Sequence, residues 1–154
     1  MQRYGLELET HGRISTVDLT AAYTLAYAKF TDGTLNGVDL DGRDVPLVPR
    51  NKLSLGAVWH INEQTRLSAD ANYVSSQLMD NDETNSFDQQ IPAYTLVDLK
   101  LVRQLGDWQL SAAVNNLFDE AYYTYAVHST YNPDRFNAYP LPGRNGWVSV
   151  EYTY

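Results

Sequence analysis

The chain has 154 residues, the length of a single domain. It contains no cysteine, which excludes disulfides and cysteine-based metal or redox sites, and its net charge of -8 argues against nucleic acid as a partner. Its 12 tyrosines against 4 phenylalanines favour places that are apolar at one end and wet at the other, such as membrane interfaces and binding loops.

Alternation of apolar and polar residues predicts seven strands and no helix between them. The chain opens directly on a strand pattern, so no signal peptide is predicted, and no apolar run is long enough for a transmembrane helix. A first turn is predicted at residues 11–13, long loops at about 31–50, 80–90 and 123–143, and tight turns at 62–65 and 104–107. The predicted strands cover about 2–10, 17–28, 52–61, 66–73, 94–103, 108–115 and 148–154.

The connections alternate between short and long along the chain. Outer-membrane barrels have short periplasmic turns and long extracellular loops, and strands of about 9–11 residues cross a bilayer at a tilt. The pattern therefore predicts an all-β, antiparallel up-and-down meander of about seven transmembrane strands. If Tyr154 lies on the periplasmic side, every short turn does so too.

One face of each predicted strand is apolar, and its direction decides between two classes of barrel. A soluble ligand-binding barrel turns that face inward, whereas an outer-membrane barrel turns it to lipid. Charges and amides deep within the strands suit a polar lumen, and aromatic residues near strand ends suit the girdles at the two membrane interfaces. We therefore expect lipid against the apolar face. The aromatic residues near the strand ends of that face are Tyr4, Tyr27, Trp59, Tyr73, Trp108, Tyr152 and Tyr154.

Seven strands are too few and odd in number for a self-contained bacterial barrel, which has an even count and no open edge. The sequence thus predicts the C-terminal segment of a larger outer-membrane barrel. The alternative is a small self-contained porin-like or structural barrel, which would need an eighth strand.

Three stretches of the sequence carry a resemblance to a known family. Residues 115–122, Asn-Asn-Leu-Phe-Asp-Glu-Ala-Tyr, resemble the Asn-Leu-Phe-Asp-x-x-Tyr motif that precedes the final extracellular loop of TonB-dependent outer-membrane receptors. Residues 139–144 resemble the Pro-Gly-Arg that opens their last strand, and residues 48–52 resemble the Val-Pro start of an internal strand. The motif residues, expected to pack a strand end and shape the loop start, are Asn116, Leu117, Phe118, Asp119, Tyr122, Pro142, Gly143 and Arg144.

The resemblance implies a 22-stranded barrel closed by an N-terminal plug domain. Receptors of this family import scarce metal chelates of the ferric siderophore, haem or cobalamin class, with energy passed on by TonB. Residues 1–154 would be the C-terminal segment of the barrel, with the plug domain absent. The implied partners are outer-membrane lipid, the chelate, and, through the missing N-terminal part, the plug and TonB.

The last strand also resembles the signal that the barrel-assembly machinery reads. Its apolar face is formed by Val148, Val150, Tyr152 and Tyr154. The family more often ends in phenylalanine, and Tyr154 keeps the aromatic ring. This makes the assembly machinery a further expected partner.

The loop over residues 123–139 is the best candidate for ligand binding, because aromatic rings beside a cation suit an amphipathic anionic chelate. The alternative is that the rings only brace a long loop at the membrane surface. The candidate residues are Tyr123, Tyr125, His128, Tyr131, Arg135 and Tyr139, with Phe136 beside them.

Other conspicuous residues are interpreted as structural or solvated. The acidic residues of 39–44 and Asp80, Asp82 and Glu83 lack the EF-hand spacing and its distal glutamate, so solvated loops are favoured over calcium sites. The three histidines lie far apart in sequence, so no metal site is predicted among them, and no cofactor is implied. No nucleophile and base come together, so the sequence predicts no enzyme.

Overall fold

The computed structural model describes residues 1–129, 131–132 and 134–154 of the chain. The described residues form strands joined by turns and loops, with no helix long and apolar enough to span a bilayer among them. The strands are β1 (Gln2–Ile14), β2 (Val17–Lys29), β3 (Thr34–Leu35), β4 (Val38–Asp39), β5 (Asn51–Asn62), β6 (Thr65–Val74), β7 (Tyr94–Leu105), β8 (Trp108–Asn115), β9 (Tyr123–His128), β10 (Phe136–Pro140) and β11 (Asn145–Tyr152).

Seven of these strands form one antiparallel sheet in the order β1-β2-β5-β6-β7-β8-β11. Each strand pairs with the next long strand along the chain, which confirms the predicted meander. Within the described residues, β1 and β11 each pair on one side only, so the sheet has two open edges.

The pairing register keeps the mainly apolar faces of all seven strands on the same side of the sheet. Leu8 lies opposite Tyr23, Tyr23 opposite Leu53, and Leu53 opposite Tyr73. Because strand side chains alternate with period two, a slip of one residue in any pair would move that strand's apolar residues to the polar face. Because the register matches the alternation in every neighbouring pair of strands, the sheet has a continuous apolar face. Its large side chains are mostly exposed.

Aromatic pairs mark both ends of this apolar face. Tyr4 stacks on its cross-strand neighbour Tyr27 with ring centroids 5.1 Å apart, at the end of the sheet that carries the long loops. Trp108 and Tyr152 pair at 4.8 Å at the end that carries the short turns. This layout agrees with two aromatic girdles around an aliphatic band, and each such pair contributes on the order of 0.2–1 kcal/mol to the sheet.

The first turn lies later in the chain than predicted. The prediction of a turn at residues 11–13 is wrong, since β1 continues to Ile14 and the chain reverses at Ser15 and Thr16. Ser15 adopts a left-handed φ of 56°. Arg13 pairs with Asp18 across the ladder, and their side chains are 3.5 Å apart, so the long ladder outweighs the weak strand propensity of Gly12.

Two of the predicted loops contain hairpins of their own. In the first, β3 and β4 are joined by Asn36 and Gly37, with φ of 51° and 82°. Two successive residues with positive φ are typical of the type I′ hairpin turn, and Asn-Gly is its strongest sequence signal. In the third loop β9 pairs with β10, and the third predicted loop is thus partly a strand pair.

The best-buried apolar residues lie in the loops rather than in the sheet. Met79, Ile91 and Ala126 are fully buried and pack together. Leu47, Phe87, Tyr123, Phe136 and Ala138 surround them, and we call these eight residues the loop core. The sheet has an apolar face that stays open to its surroundings, whereas the loop core excludes water much as the interior of a soluble protein does.

Candidate ligand-binding surface

The second long loop, residues 75–93, is attached to β9 as a parallel partner. Asp80 bridges to Val127, the Asp80 amide donates to the Ala126 carbonyl (2.9 Å), and the His128 amide donates to the Asp80 carbonyl (2.8 Å). A second bridge joins Gln77 to Ile91 within the loop itself. Backbone pairing of this kind fixes the loop against the β9–β10 hairpin, although the paired residues lie more than forty positions apart in the sequence.

The first long loop is attached to the second by hydrogen bonds, two of which come from one asparagine side chain. The Asn85 side chain accepts a hydrogen bond from the Asp44 amide (2.7 Å) and donates one to the Asp44 carbonyl (2.9 Å). Arg43 donates to the Thr84 carbonyl, and the Leu47 amide donates to the Leu78 carbonyl. With the loop core, these contacts join residues 43–50, 75–93 and 123–140 into one body, which we call the loop unit.

Three of the aromatic side chains proposed from sequence as ligand contacts lie against the loop core instead. His128 stacks on Phe87 with ring centroids 4.2 Å apart. Tyr123 and Phe136 pack against the buried cluster, with their own rings 6.4 Å apart. The contacts of these three residues fit the alternative interpretation, in which the rings brace the loop.

The remaining predicted residues are presented to solvent. Tyr131 is 93% exposed, Tyr139 58% and Tyr125 38%, and Arg135 is exposed as well. Strands β9 and β10 hold Tyr125 and Tyr139, while Tyr131 and Arg135 lie in the connection between them. An exposed group of rings with a cation is the arrangement that stacking and charge-assisted hydrogen bonding need.

Tyr125 and Tyr139 are brought together by an irregularity in the hairpin. The register of β10 against β9 shifts between Ala138 and Pro140. Such irregularities re-aim side chains. Here the two tyrosine rings lie 5.5 Å apart, and the Tyr125 hydroxyl donates to Asp80 Oδ2 at 2.6 Å. The hydrogen bond to Asp80 is the main reason that the pKa of Tyr125 is raised above its ordinary value.

Asp82 differs from the solvated side chain that the sequence predicts. It is only 1% exposed, and its Oδ1 accepts hydrogen bonds from the amides of Ser86 (2.8 Å) and Phe87 (3.2 Å). Asp82 Oδ2 has no hydrogen-bond partner among the described residues. The prediction that Asp82 is solvated is therefore wrong, because the carboxylate closes a turn of the loop unit.

The other residues considered for metal binding are dispersed. Asp44 lies 3.0 Å from Arg50 and 3.9 Å from Lys29, and His60 lies 2.7 Å from Asp18 on the polar face of the sheet. Within the described part of the chain, no group of three or more histidine, cysteine, aspartate and glutamate side chains is placed to hold a metal ion.

The Asn-Leu-Phe-Asp motif forms a compact turn at the end of β8. Asn116 is buried with a left-handed φ of 52°, and its side chain bonds both the amide and the carbonyl of Glu120 at 2.8 and 2.9 Å. Its own amide donates to Asp98 Oδ1 at 2.8 Å. These bonds set where β8 stops and the third loop begins.

The same motif positions the start of β11. Asp119 Oδ1 accepts a hydrogen bond from the Arg144 amide at 2.7 Å, and the Arg144 side chain reaches the Leu117 carbonyl at 3.4 Å. A Cβ on Gly143 would lie 2.7 Å from that Asp119 oxygen, so only glycine fits there without a shift. The Asn-Leu-Phe-Asp and Pro-Gly-Arg motifs therefore contact each other directly.

The other motif residues divide between packing and exposure. Tyr122 packs on Tyr94 at 5.0 Å, and Pro142 lies in the exposed segment that leads to β11. Phe118 is 72% exposed, so the packing expected of it at the strand end does not occur within the described residues. On β11, Val148, Val150 and Tyr152 face outward on the apolar side, and Tyr154 follows just beyond the strand.

The residues that organise the loop unit could not have been identified from the sequence. Met79, Asp80 and Asn85 lie in a polar stretch without periodicity, and the hydrogen bonds of Asp80 with Tyr125 and of Asn85 with Asp44 span 45 and 41 positions. The sequence did contain one signal for this region, the Asn-Leu-Phe-Asp and Pro-Gly-Arg motifs, which contact each other in the structure.

Comparisons with known proteins agree with this architecture. The family model described as TonB dependent receptor-like, beta-barrel, matches residues 1–117. The ferrioxamine receptor of Yersinia enterocolitica is 31% identical over 135 residues, which are 82% of this chain and 18% of that receptor. The chain thus spans less than a fifth of the length of this relative.

Solved structures share the fold over nearly the whole chain. The siderophore receptor PiuA from Acinetobacter baumannii superimposes with a TM-score of 0.78 at 24% identity, over 99% of this chain and 22% of that one. BauA, the ferric preacinetobactin receptor of the same organism, matches with a TM-score of 0.70 at 25% identity, over 96% and 21% of the two chains.

Together, the match of the family model to most of the chain, the seven-stranded sheet with its two aromatic girdles and the joined motifs establish that this chain belongs to the TonB-dependent receptor-like β-barrel family of bacterial outer-membrane proteins, of whose barrel it forms a part.

Proposed function

We propose that the chain supplies the C-terminal strands and three extracellular loops of a TonB-dependent transporter that imports a ferric chelate. The observation that carries this proposal is the loop unit. Three loops share one buried core and present Tyr131, Arg135, Tyr125 and Tyr139 on its surface. Relatives named as ferrioxamine, siderophore and ferric preacinetobactin receptors support a chelate of iron as the cargo.

The exposed residues suit the chemistry of such a cargo. Ferric chelates commonly combine an apolar or aromatic ligand frame with oxygen atoms that carry partial negative charge. Tyrosine rings offer flat apolar area with a polar tip, and the Arg135 guanidinium offers several hydrogen-bond donors in one plane. Because the loop unit is tied together, little conformational entropy would be lost when a ligand binds.

The polar face of the sheet fits contact with a hydrated lumen or a plug. It carries hydrogen-bonded or charged pairs such as Ser54 with Asn72 (2.7 Å) and His60 with Asp18 (2.7 Å). Lys100 lies over the Trp147 ring, 5.5 Å from its centroid, on the same face. In the whole protein we assign this face to the plug, while TonB would act through the part of the protein that precedes these strands.

The proposal is tested by iron uptake in cells that produce the full-length receptor. Radioactive iron supplied as ferrioxamine, and then as a panel of hydroxamate and catecholate chelates, should enter only when both receptor and TonB are present. Absence of TonB-dependent uptake for every ferric chelate would overturn the proposal. An Arg103→Ala variant, changed at the short-turn end of β7, serves as a control and should import normally.

A further inference from the structure

Asp80, Tyr125 and Tyr139 form a cluster of oxygen-bearing side chains at the surface of the loop unit. The Tyr125 hydroxyl contacts Asp80 Oδ2 at 2.6 Å, and the Tyr139 ring lies 5.5 Å from the Tyr125 ring. Tyr125 and Tyr139 are exposed, and Asp80 is half-buried. The three side chains are therefore accessible to a small ion from solvent.

The placement of the three residues depends on backbone structure, which makes it specific. The bridge between Asp80 and Val127 sets the carboxylate beside β9, through two backbone hydrogen bonds of 2.9 and 2.8 Å. The register shift near Pro140 sets Tyr139 against Tyr125. Both arrangements are set by the backbone and not by the side chains of the cluster. The surrounding structure thus positions the three residues before any ligand binds, as in preformed ligand sites.

The donor set is selective in its chemistry. Phenolate and carboxylate oxygens are hard, anionic donors, and they match a small, highly charged ion such as iron(III) better than soft or divalent ions. No histidine or cysteine is needed for such a set. Histidine, cysteine and acidic side chains alone form no metal-holding group among the described residues, and two of the three donors proposed here are tyrosines.

We propose that Asp80, Tyr125 and Tyr139 bind iron(III) directly, as a phenolate and carboxylate site on the outer surface of the loop unit. Each phenol releases its proton to solvent as its oxygen bonds to the metal, and the iron stays in the ferric state throughout. The remaining coordination positions are filled by water or by oxygen atoms of an incomplete chelate. This role goes beyond import of a preformed chelate, since the protein itself supplies iron ligands.

The test uses the full-length receptor in detergent, with ferric nitrilotriacetate as the probe, because this complex keeps iron soluble and leaves coordination positions open. Binding should produce the visible charge-transfer absorption of an iron(III) phenolate, saturating at about one iron per receptor. The Tyr125→Phe, Tyr139→Phe double variant should lose the band, and Asp80→Asn should weaken iron binding at least tenfold. Tyr73→Phe, a change of the same kind on the apolar face of β6 and away from the loop unit, should keep the band.

Two results would overturn the site. One is the absence of a charge-transfer band in the wild-type receptor, and the other is a band of equal intensity in the double variant. Because Tyr→Phe removes only a hydroxyl, heat-modifiable gel migration should show all variants folded. The readout does not involve chelate uptake, so its failure would leave the proposed import function standing, and failure of uptake would leave this site standing.

Discussion

The Asn85 side chain bonds both backbone groups of Asp44, accepting from its amide at 2.7 Å and donating to its carbonyl at 2.9 Å. The two residues lie 41 positions apart, in different long loops. Asn85 also has a φ of 51°, a left-handed conformation that asparagine tolerates well. One side chain thus joins the first loop to the second.

Asn85→Ala should loosen the attachment of the first loop to the loop unit, which would then depend on the Arg43 and Leu47 contacts. Two net hydrogen bonds of about 0.5–1.5 kcal/mol each would be lost, and alanine would add about 1–2 kcal/mol of strain at positive φ. Hydrogen exchange at residues 43–50 should accelerate in the full-length receptor. Asn85→Gly removes the bonds without the strain, so it should give the smaller effect, and equal protection in all three proteins would contradict this account.

Met79→Ala should loosen the whole loop unit by opening a cavity in its core. Met79 is fully buried, and truncations of this kind cost about 2–5 kcal/mol. Loop proteolysis should become faster, while the sheet keeps its resistance. Leu55→Ala, on the exposed apolar face, is the matched control and should leave the loops protected. Unchanged proteolysis of Met79→Ala would show that the loop core does not hold the loops.

The fold was predictable because its signal is local and repeated. Period-two alternation places Leu8, Tyr23 and Leu53 on one face, and the register observed in the sheet keeps them there. The loop unit was not predictable in the same way. Met79 packs on Ala126 and Asp80 accepts a hydrogen bond from Tyr125, both more than forty residues later in β9, and no periodic pattern connects the two segments. The Asn36-Gly37 turn, in contrast, had a recognisable sequence signal that the loop assignment overlooked.

Gly143→Ala should weaken the start of β11. The added methyl group would lie 2.7 Å from Asp119 Oδ1, which holds the Arg144 amide, so either the carboxylate or the strand must shift. We expect a loss of about 1–3 kcal/mol, seen as a lower midpoint of heat-modifiable gel migration. Gly12→Ala, where an added Cβ has no neighbour within 4 Å among the described residues, should be close to wild type. Equal midpoints for the two variants would refute the steric argument.

The Tyr125 phenol should titrate above the ordinary tyrosine pKa. Its hydrogen bond to Asp80 is the largest cause, followed by partial burial and the charges of Asp80 and Tyr139. The folded state thus favours the protonated phenol. This stabilisation is complete below the unfolded pKa of about 10 and disappears as the pH rises through the higher folded value. The difference in alkaline absorbance titration between wild type and Tyr125→Phe should show one raised transition, and a normal midpoint would contradict the bond.

Deletion of Tyr154 should lower the amount of receptor in the outer membrane. The residue adds a further aromatic ring to the apolar face of Val148, Val150 and Tyr152, the pattern expected of a signal for the barrel-assembly machinery. Immunoblots of outer-membrane fractions would measure the effect. Tyr154→Phe, which keeps the ring, should restore the level, and an undiminished level after deletion would remove the assembly role.

Equilibrium binding of a ferric chelate to the purified full-length receptor tests the central claim most directly. The Tyr131→Ala, Arg135→Ala double variant changes two exposed residues of the loop unit, and Arg103→Ala changes one at the opposite end of the sheet. For the chelate that supports uptake, the account predicts at least tenfold weaker binding by the double variant and unchanged binding by Arg103→Ala. Equal affinity of the double variant and the wild type would contradict it.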